Sequence, residues 1–243
     1  MMQYTPIQWQ GFDGVELLFE DSTAKVIKPH GTPNGKWALK TEYWNAFPAV
    51  EIELLHRGWH IAYQKNDNRW AQEKDVARKA DFVRFVSKEF SLNEKCSMIG
   101  MSCGGMYAVL LAARCPELAD VLYLDAPVLN LLSCPCDMGV AQSGLYDEFF
   151  RFTGKTKSEM LSYRDHPLDH LPTLLAHRIP VVLVAGDSDR TVPYVENGAL
   201  LAETYKKASV PIRVFLKEGC DHHPHGLEDP SVVADAIEEF SKK

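Results

Sequence analysis

Apolar positions along this chain follow two alternating rhythms. "AKVI", "WHIAYQK", "CSMI", "DVLYLDAP", "IPVVLVAGDSD" and "IRVFLKE" are continuous or near-continuous apolar runs rich in β-branched residues, and they predict strands. Between them lie segments with helical spacing. "AFPAVEIELLHRG" places Val50, Leu54 and Leu55 on one face and stops at Gly58. "EKDVARKADFVRFVSKEF" sets Val76, Ala80, Val83 and Val86 opposite its charges. "GMYAVLLAARC" is apolar nearly all round and predicts a buried helix; "ENGALLAETYKKA" and "SVVADAIEEFSKK" predict two more. At the start, "IQWQGFDGVELLFE" reads as an antiparallel hairpin around Gly11 to Gly14.

Strands alternating with helices indicate parallel pairing through right-handed crossovers, and near-continuous apolar strands indicate a sheet covered on both faces. The predicted class is α/β, with about eight strands. One segment breaks the rhythm: from about Leu131 to Leu175 there are short helical pieces, "LYDEFFRF" and "KSEMLSYR", but no clear strand. An insertion there, after the sixth predicted strand, would lie over the carboxyl ends of the strands, where open α/β sheets bind ligands.

The 243 residues suffice for one sizeable core. With 26 Lys and Arg against 33 Asp and Glu, and no long basic run, nucleic acid is not an expected partner. No apolar stretch reaches the roughly 18 residues a membrane span needs. The beginning, "MMQYTPIQWQGFDG", has no basic start or apolar core of an export signal, so a cytoplasmic setting is expected. Six cysteines in such a chain read as small hydrophobes, not a disulfide framework.

"MIGMSCGGMYAV" concentrates the chemistry. Gly100-Met101-Ser102-Cys103-Gly104 is G-x-S-x-G between a predicted strand and a buried helix. That context suits a nucleophile elbow, a strained turn whose flanking glycines remove clashing side chains. A serine nucleophile needs a base, and the base an orienting acid. Asp187 and Asp189 follow the strongest strand, and His222, His223 and His225 follow the last one. Asp125, after the sixth predicted strand, reads as a turn or cap residue, with the orienting acid as its alternative role.

These motifs resemble the α/β-hydrolase superfamily over nearly the whole chain. The resemblance implies a single domain, residues 1–243, with a short helical cap at about 131–175. Within that superfamily the acid falls in G-x-x-D-x-x-V-P, which Gly186 to Pro193 matches, and this selects Asp189. The histidine follows a G-x-G-H turn, which Gly219-Cys220-Asp221-His222 matches except for Asp221, and this selects His222. His30-Gly31-Thr32-Pro33 resembles the H-G-x-P loop, implying that the Thr32 N–H joins the Cys103 N–H as oxyanion donors. "GCDHHPHGLEDP" with Asp125-Ala126-Pro127 also resembles a subgroup of hydrolases with a G-x-G-H-H-P-H-like motif.

His30, Trp37, Trp70 and His223 are candidate pocket residues. The Cys103 side chain is expected to point away from substrate. Neither Cys220 with its three histidines nor Cys134-Pro135-Cys136 has the paired spacing of a structural zinc motif, so no metal and no cofactor are expected. The expected activity is hydrolysis of a small or short-acyl ester through an acyl-serine. An acyltransferase, a small oligopeptidase-like peptidase and an inactive hydrolase-fold binding protein are the alternatives.

Overall fold

The computed structural model describes residues 3–241. Its elements run β1 (Tyr4–Trp9), β2 (Phe12–Phe19), β3 (Ser22–Ile27), β4 (Trp37–Lys40), α1 (Ala49–His56), β5 (His60–Gln64), α2 (Glu73–Glu89), β6 (Cys96–Met101), α3 (Cys103–Arg114) and β7 (Ala119–Asp125). They continue with α4 (Tyr146–Thr153), α5 (Lys157–Met160), α6 (Leu171–Ala176), β8 (Val181–Gly186), α7 (Gly198–Lys207), β9 (Ile212–Lys217) and α8 (Pro230–Phe240). The strands form one sheet in the order β1-β2-β3-β5-β4-β6-β7-β8-β9. The pairs up to β3–β5 are antiparallel and the rest parallel.

Both faces of the sheet are covered, which is why a strand such as β8, VVLVAG, has no polar side chain on either face. Along β8, Val181 and Leu183 join the core under α3, α6 and α7, while Val182 and Val184 face the core shared with α1 and α8. On β7, Leu122 and Leu124 alternate with Val121 and Tyr123 in the same way. The predicted helices all form.

The sheet has nine strands where the sequence pattern predicts about eight. The additional one is β4, the four residues "WALK". It is short, follows a loop of Pro, Gly and Asn, and ends in lysine, so it carries little apolar periodicity. It nonetheless lies between β5 and β6, the strand that leads into Ser102, and all four residues are buried. Lys40 is accommodated because its Nζ donates to Glu51 Oε1 on α1 (2.5 Å) and to the Ala46 carbonyl (2.7 Å). Both side chains of that ion pair are shut off from solvent. The chain between β7 and β8 carries α4, α5 and α6. Leu171 and Leu174 of α6 pack into the main core, so the last part of this region serves as the crossover helix between the two strands. Among the described residues no helix is long and apolar enough to cross a membrane.

Candidate active site

Ser102 follows β6 directly and occupies a left-handed conformation (φ 52°, ψ −123°), a region disfavoured for any residue with a side chain. The surroundings hold it there. Its N–H donates to the Asp125 carbonyl (2.9 Å), and its own carbonyl accepts from Gly105 N–H and Val128 N–H (3.0 Å each). The turn closes because two glycines permit it. A Cβ on Gly100 would lie 2.5 Å from the Gly104 carbonyl oxygen, and one on Gly105 would lie 2.3 Å from Pro127 Cβ. α3 begins at Cys103, whose N–H, in the first turn, has no intrahelical acceptor.

The carboxyl ends of the parallel strands converge on this serine. His222 Nε2 lies 3.1 Å from Ser102 Oγ, and His222 Nδ1 lies 2.7 Å from Asp189 Oδ2. Asp189 Oδ1 accepts the N–H groups of Thr191 (2.9 Å) and Val192 (2.8 Å), which fix the carboxylate on its loop after β8. Asp187 sits elsewhere. Its Oδ1 accepts from Gly219 N–H and Ser188 Oγ, tying two loops together. Asp221, where glycine was expected, closes a second tie. It accepts His222 N–H (2.8 Å) and Arg190 N–H (3.0 Å) and pairs with the Arg190 guanidinium, joining the loop of Asp189 to the loop of His222. Those backbone N–H groups hold its carboxyl below the usual range.

A pocket of about 270 Å³ opens over Ser102, lined by Tyr43, Phe47, Arg69, Leu145, His222, His223 and His225 among others. Of the residues singled out as pocket candidates, His223 is in it. His30, Trp37 and Trp70 are not. β3 runs antiparallel to β5, with Ile27 opposite Ile61 and Trp37 opposite His60. Residues 28–36 therefore lie at the amino edge of the parallel strands, across the sheet from Ser102. His30 is exposed and stacked on Phe12, and Trp37 is core, donating its indole N–H to the Asn93 carbonyl (2.8 Å). Trp70 is buried edge-on against Phe149 beside a separate cavity of about 400 Å³.

The same register corrects the oxyanion loop. Thr32 packs beside Gly58 on the far edge, so its N–H is not available to a carbonyl at Ser102. The loop that reaches Ser102 is the one after β4, Thr41 to Pro48. Thr41 Oγ1 bonds the Gly104 carbonyl (2.7 Å), and the Tyr43 phenol meets the Cys103 thiol and the Arg69 guanidinium. Burial pushes that thiol up to about 11, so it stays protonated. Recognising "WALK" as a strand would have pointed to "TEYW" instead. Arg69 is held by both oxygens of Glu148 on α4, which links the β5 loop to the segment between β7 and β8. No pattern in the sequence signalled Tyr43, Phe47 or Arg69.

Known proteins place the architecture. Solved structures that superpose on nearly all of this chain include a puromycin hydrolase (17% identity, 99% of this chain and 38% of that one, TM-score 0.69). A Mycobacterium tuberculosis puromycin-hydrolysing peptidase matches at 14% identity, 98% and 38%, with TM-score 0.69. A Pyrococcus horikoshii acylaminoacyl peptidase matches at 12%, 100% and 40%, with TM-score 0.65. At such identities the likeness is one of fold, and this chain spans less than half the length of each. The fold is that of the α/β hydrolases. A family model matches residues 57–241, well over half of the sequence and containing Ser102, Asp189 and His222. The chain belongs to the prolyl oligopeptidase family.

Proposed function

We propose that the protein is a serine hydrolase that cleaves the amide bond of a small peptide-like substrate through an acyl-serine. The observation that carries this reading is His222, with one ring nitrogen on Ser102 Oγ and the other on Asp189. In the proposed first step the Ser102 oxygen attacks the carbonyl carbon while His222 Nε2 takes the hydroxyl proton. Asp189 holds Nδ1–H and stabilises the imidazolium. The Cys103 N–H is one donor to the oxyanion, and Tyr43 on the β4 loop supplies the second. Collapse returns the proton from His222 to the leaving amine. Water, activated by His222, then releases the acid and restores Ser102.

The amide is preferred over the short-acyl ester expected from the sequence because of family membership and because the similar structures include a puromycin-hydrolysing and an acylaminoacyl peptidase. The same machinery would also open esters, whose alkoxide leaves more easily than an amine. A pocket of about 270 Å³ suits a short acyl or aminoacyl group. Six free cysteines, four of them buried, support a cytoplasmic setting as part of this proposal.

The test is fluorophosphonate labelling with mass spectrometry of the labelled peptide, beside turnover of matched aminoacyl arylamides and nitrophenyl esters. A label on Ser102 with arylamide turnover supports the proposal. Turnover of esters alone removes the peptidase reading. An unlabelled Ser102 with no turnover favours a binding protein on a hydrolase scaffold, and product esters formed in added alcohol favour an acyltransferase.

A further inference from the structure

The hydrolytic steps use one histidine, yet three converge on the pocket. His222, His223 and His225 each offer a ring nitrogen, and these nitrogens lie within 4.8 Å of one another. The ring centroids are 4.9–5.0 Å apart, each ring edge-on to the others. His225 repeats the arrangement of the proposed base: its Nδ1 lies 2.8 Å from Asp125 Oδ1, and both side chains are almost wholly buried. Asp125 is itself held by the Tyr123 hydroxyl (2.9 Å) and by Gly226 N–H. Burying a second carboxylate–histidine pair carries a desolvation cost that proton transfer at Ser102 does not explain.

Two histidines that each give Nδ1–H to a buried carboxylate present Nε2 as a basic, oriented lone pair. Carboxylate-backed imidazole is how proteins prepare histidine to ligate a transition metal. His223 completes the set from the rim. It is exposed and lies parallel to Phe47 with ring centroids 5.5 Å apart. Tetrahedral ligation at about 2.0–2.1 Å sets ligand nitrogens about 3.3 Å apart, so the rim loop needs to close by an ångström or so.

We propose that His222 Nε2, His225 Nε2 and His223 form a site for one borderline divalent cation such as Zn²⁺, which on binding withdraws His222 from Ser102 and arrests hydrolysis. The arrest rests on His222 being the base; the cation site does not. The experiment is titration of untagged, metal-free protein with Zn²⁺ by calorimetry, and with Co²⁺ by visible absorption. It is run on wild type, Ser102→Ala, His223→Ala and His225→Asn, each checked by thermal melting.

The expected result is one ion per chain with Kd tighter than about 10 μM. Affinity should persist in Ser102→Ala and weaken at least about tenfold in His223→Ala. Zn²⁺ should also block fluorophosphonate labelling of wild type. The site is overturned if wild type binds no ion, or if His223→Ala and a folded His225→Asn bind as wild type does. Labelling that is absent even without metal counts against the hydrolase reading, while calorimetry on the same protein still decides the site. Binding without protection from the label overturns the arrest.

Discussion

His222 Nδ1 lies 2.7 Å from Asp189 Oδ2, and the other oxygen of Asp189 is occupied by the N–H groups of Thr191 and Val192. The carboxylate is thus oriented from behind before it orients the imidazole. Asp189→Asn keeps the shape but can present an N–H where an acceptor is required, which favours the wrong tautomer of His222. Turnover of the best arylamide or ester should fall about 10³–10⁴-fold, with the circular dichroism spectrum unchanged. Ser102→Ala and His222→Ala should fall as far, and the three losses should not add, because the residues act as a unit.

The β4 loop gives a paired prediction. Tyr43→Phe removes a phenolic donor beside the nucleophile and should lower kcat about 100-fold with little change in KM. Thr32→Pro, which removes the backbone N–H across the sheet, should leave both parameters as they are. A loss in Thr32→Pro as large as that expected of Tyr43→Phe, with Tyr43→Phe unaffected, would return the oxyanion loop to the H-G-x-P segment.

Lys40 and Glu51 form an ion pair with no solvent access, and Lys40 also holds the Ala46 carbonyl at the edge of the pocket. Removing one partner leaves a buried charge. Lys40→Met should cost about 3–5 kcal/mol in urea unfolding. The double variant Lys40→Met/Glu51→Leu should regain most of that stability. A single-variant loss well below 1 kcal/mol would mean that water reaches this pair.

His60, at the start of β5, is buried with Nδ1 unpartnered, and burial together with the charge of Lys28 lowers its pKa from 6.5 to about 4. The unfolded chain then binds the proton that the folded chain refuses. Stability is full above about pH 6.5 and is lost as pH falls towards 4; between pH 7 and pH 5 the loss from this group is about 2 kcal/mol. Urea melts at the two pH values should show it, and His60→Gln should reduce the difference. An unchanged difference would assign the acid limb to other groups.

Local signals in the sequence determined much of this protein. Apolar runs and helical spacing specify a mostly parallel α/β sheet covered on both faces. Gly100 and Gly105 specify a sharp strand-to-helix turn at Ser102, because each sits where a Cβ would meet backbone or proline. The order of serine, acid and histidine follows strand by strand. These are short-range properties, set by the period of each element and the chemistry of each turn.

Tertiary structure alone decided which strands are neighbours. A four-residue strand with a terminal lysine carries almost no pattern, yet its place between β5 and β6 brings Tyr43, and not Thr32, to the pocket over Ser102 and sends Trp37 to the core. The choice of Asp189 over Asp187 became a distance to His222. The Asp125–His225 pair joins positions 100 residues apart. Such contacts depend on the register of whole strands against one another. That register is selected by burial summed over both faces of the sheet, a quantity that no short stretch of sequence contains.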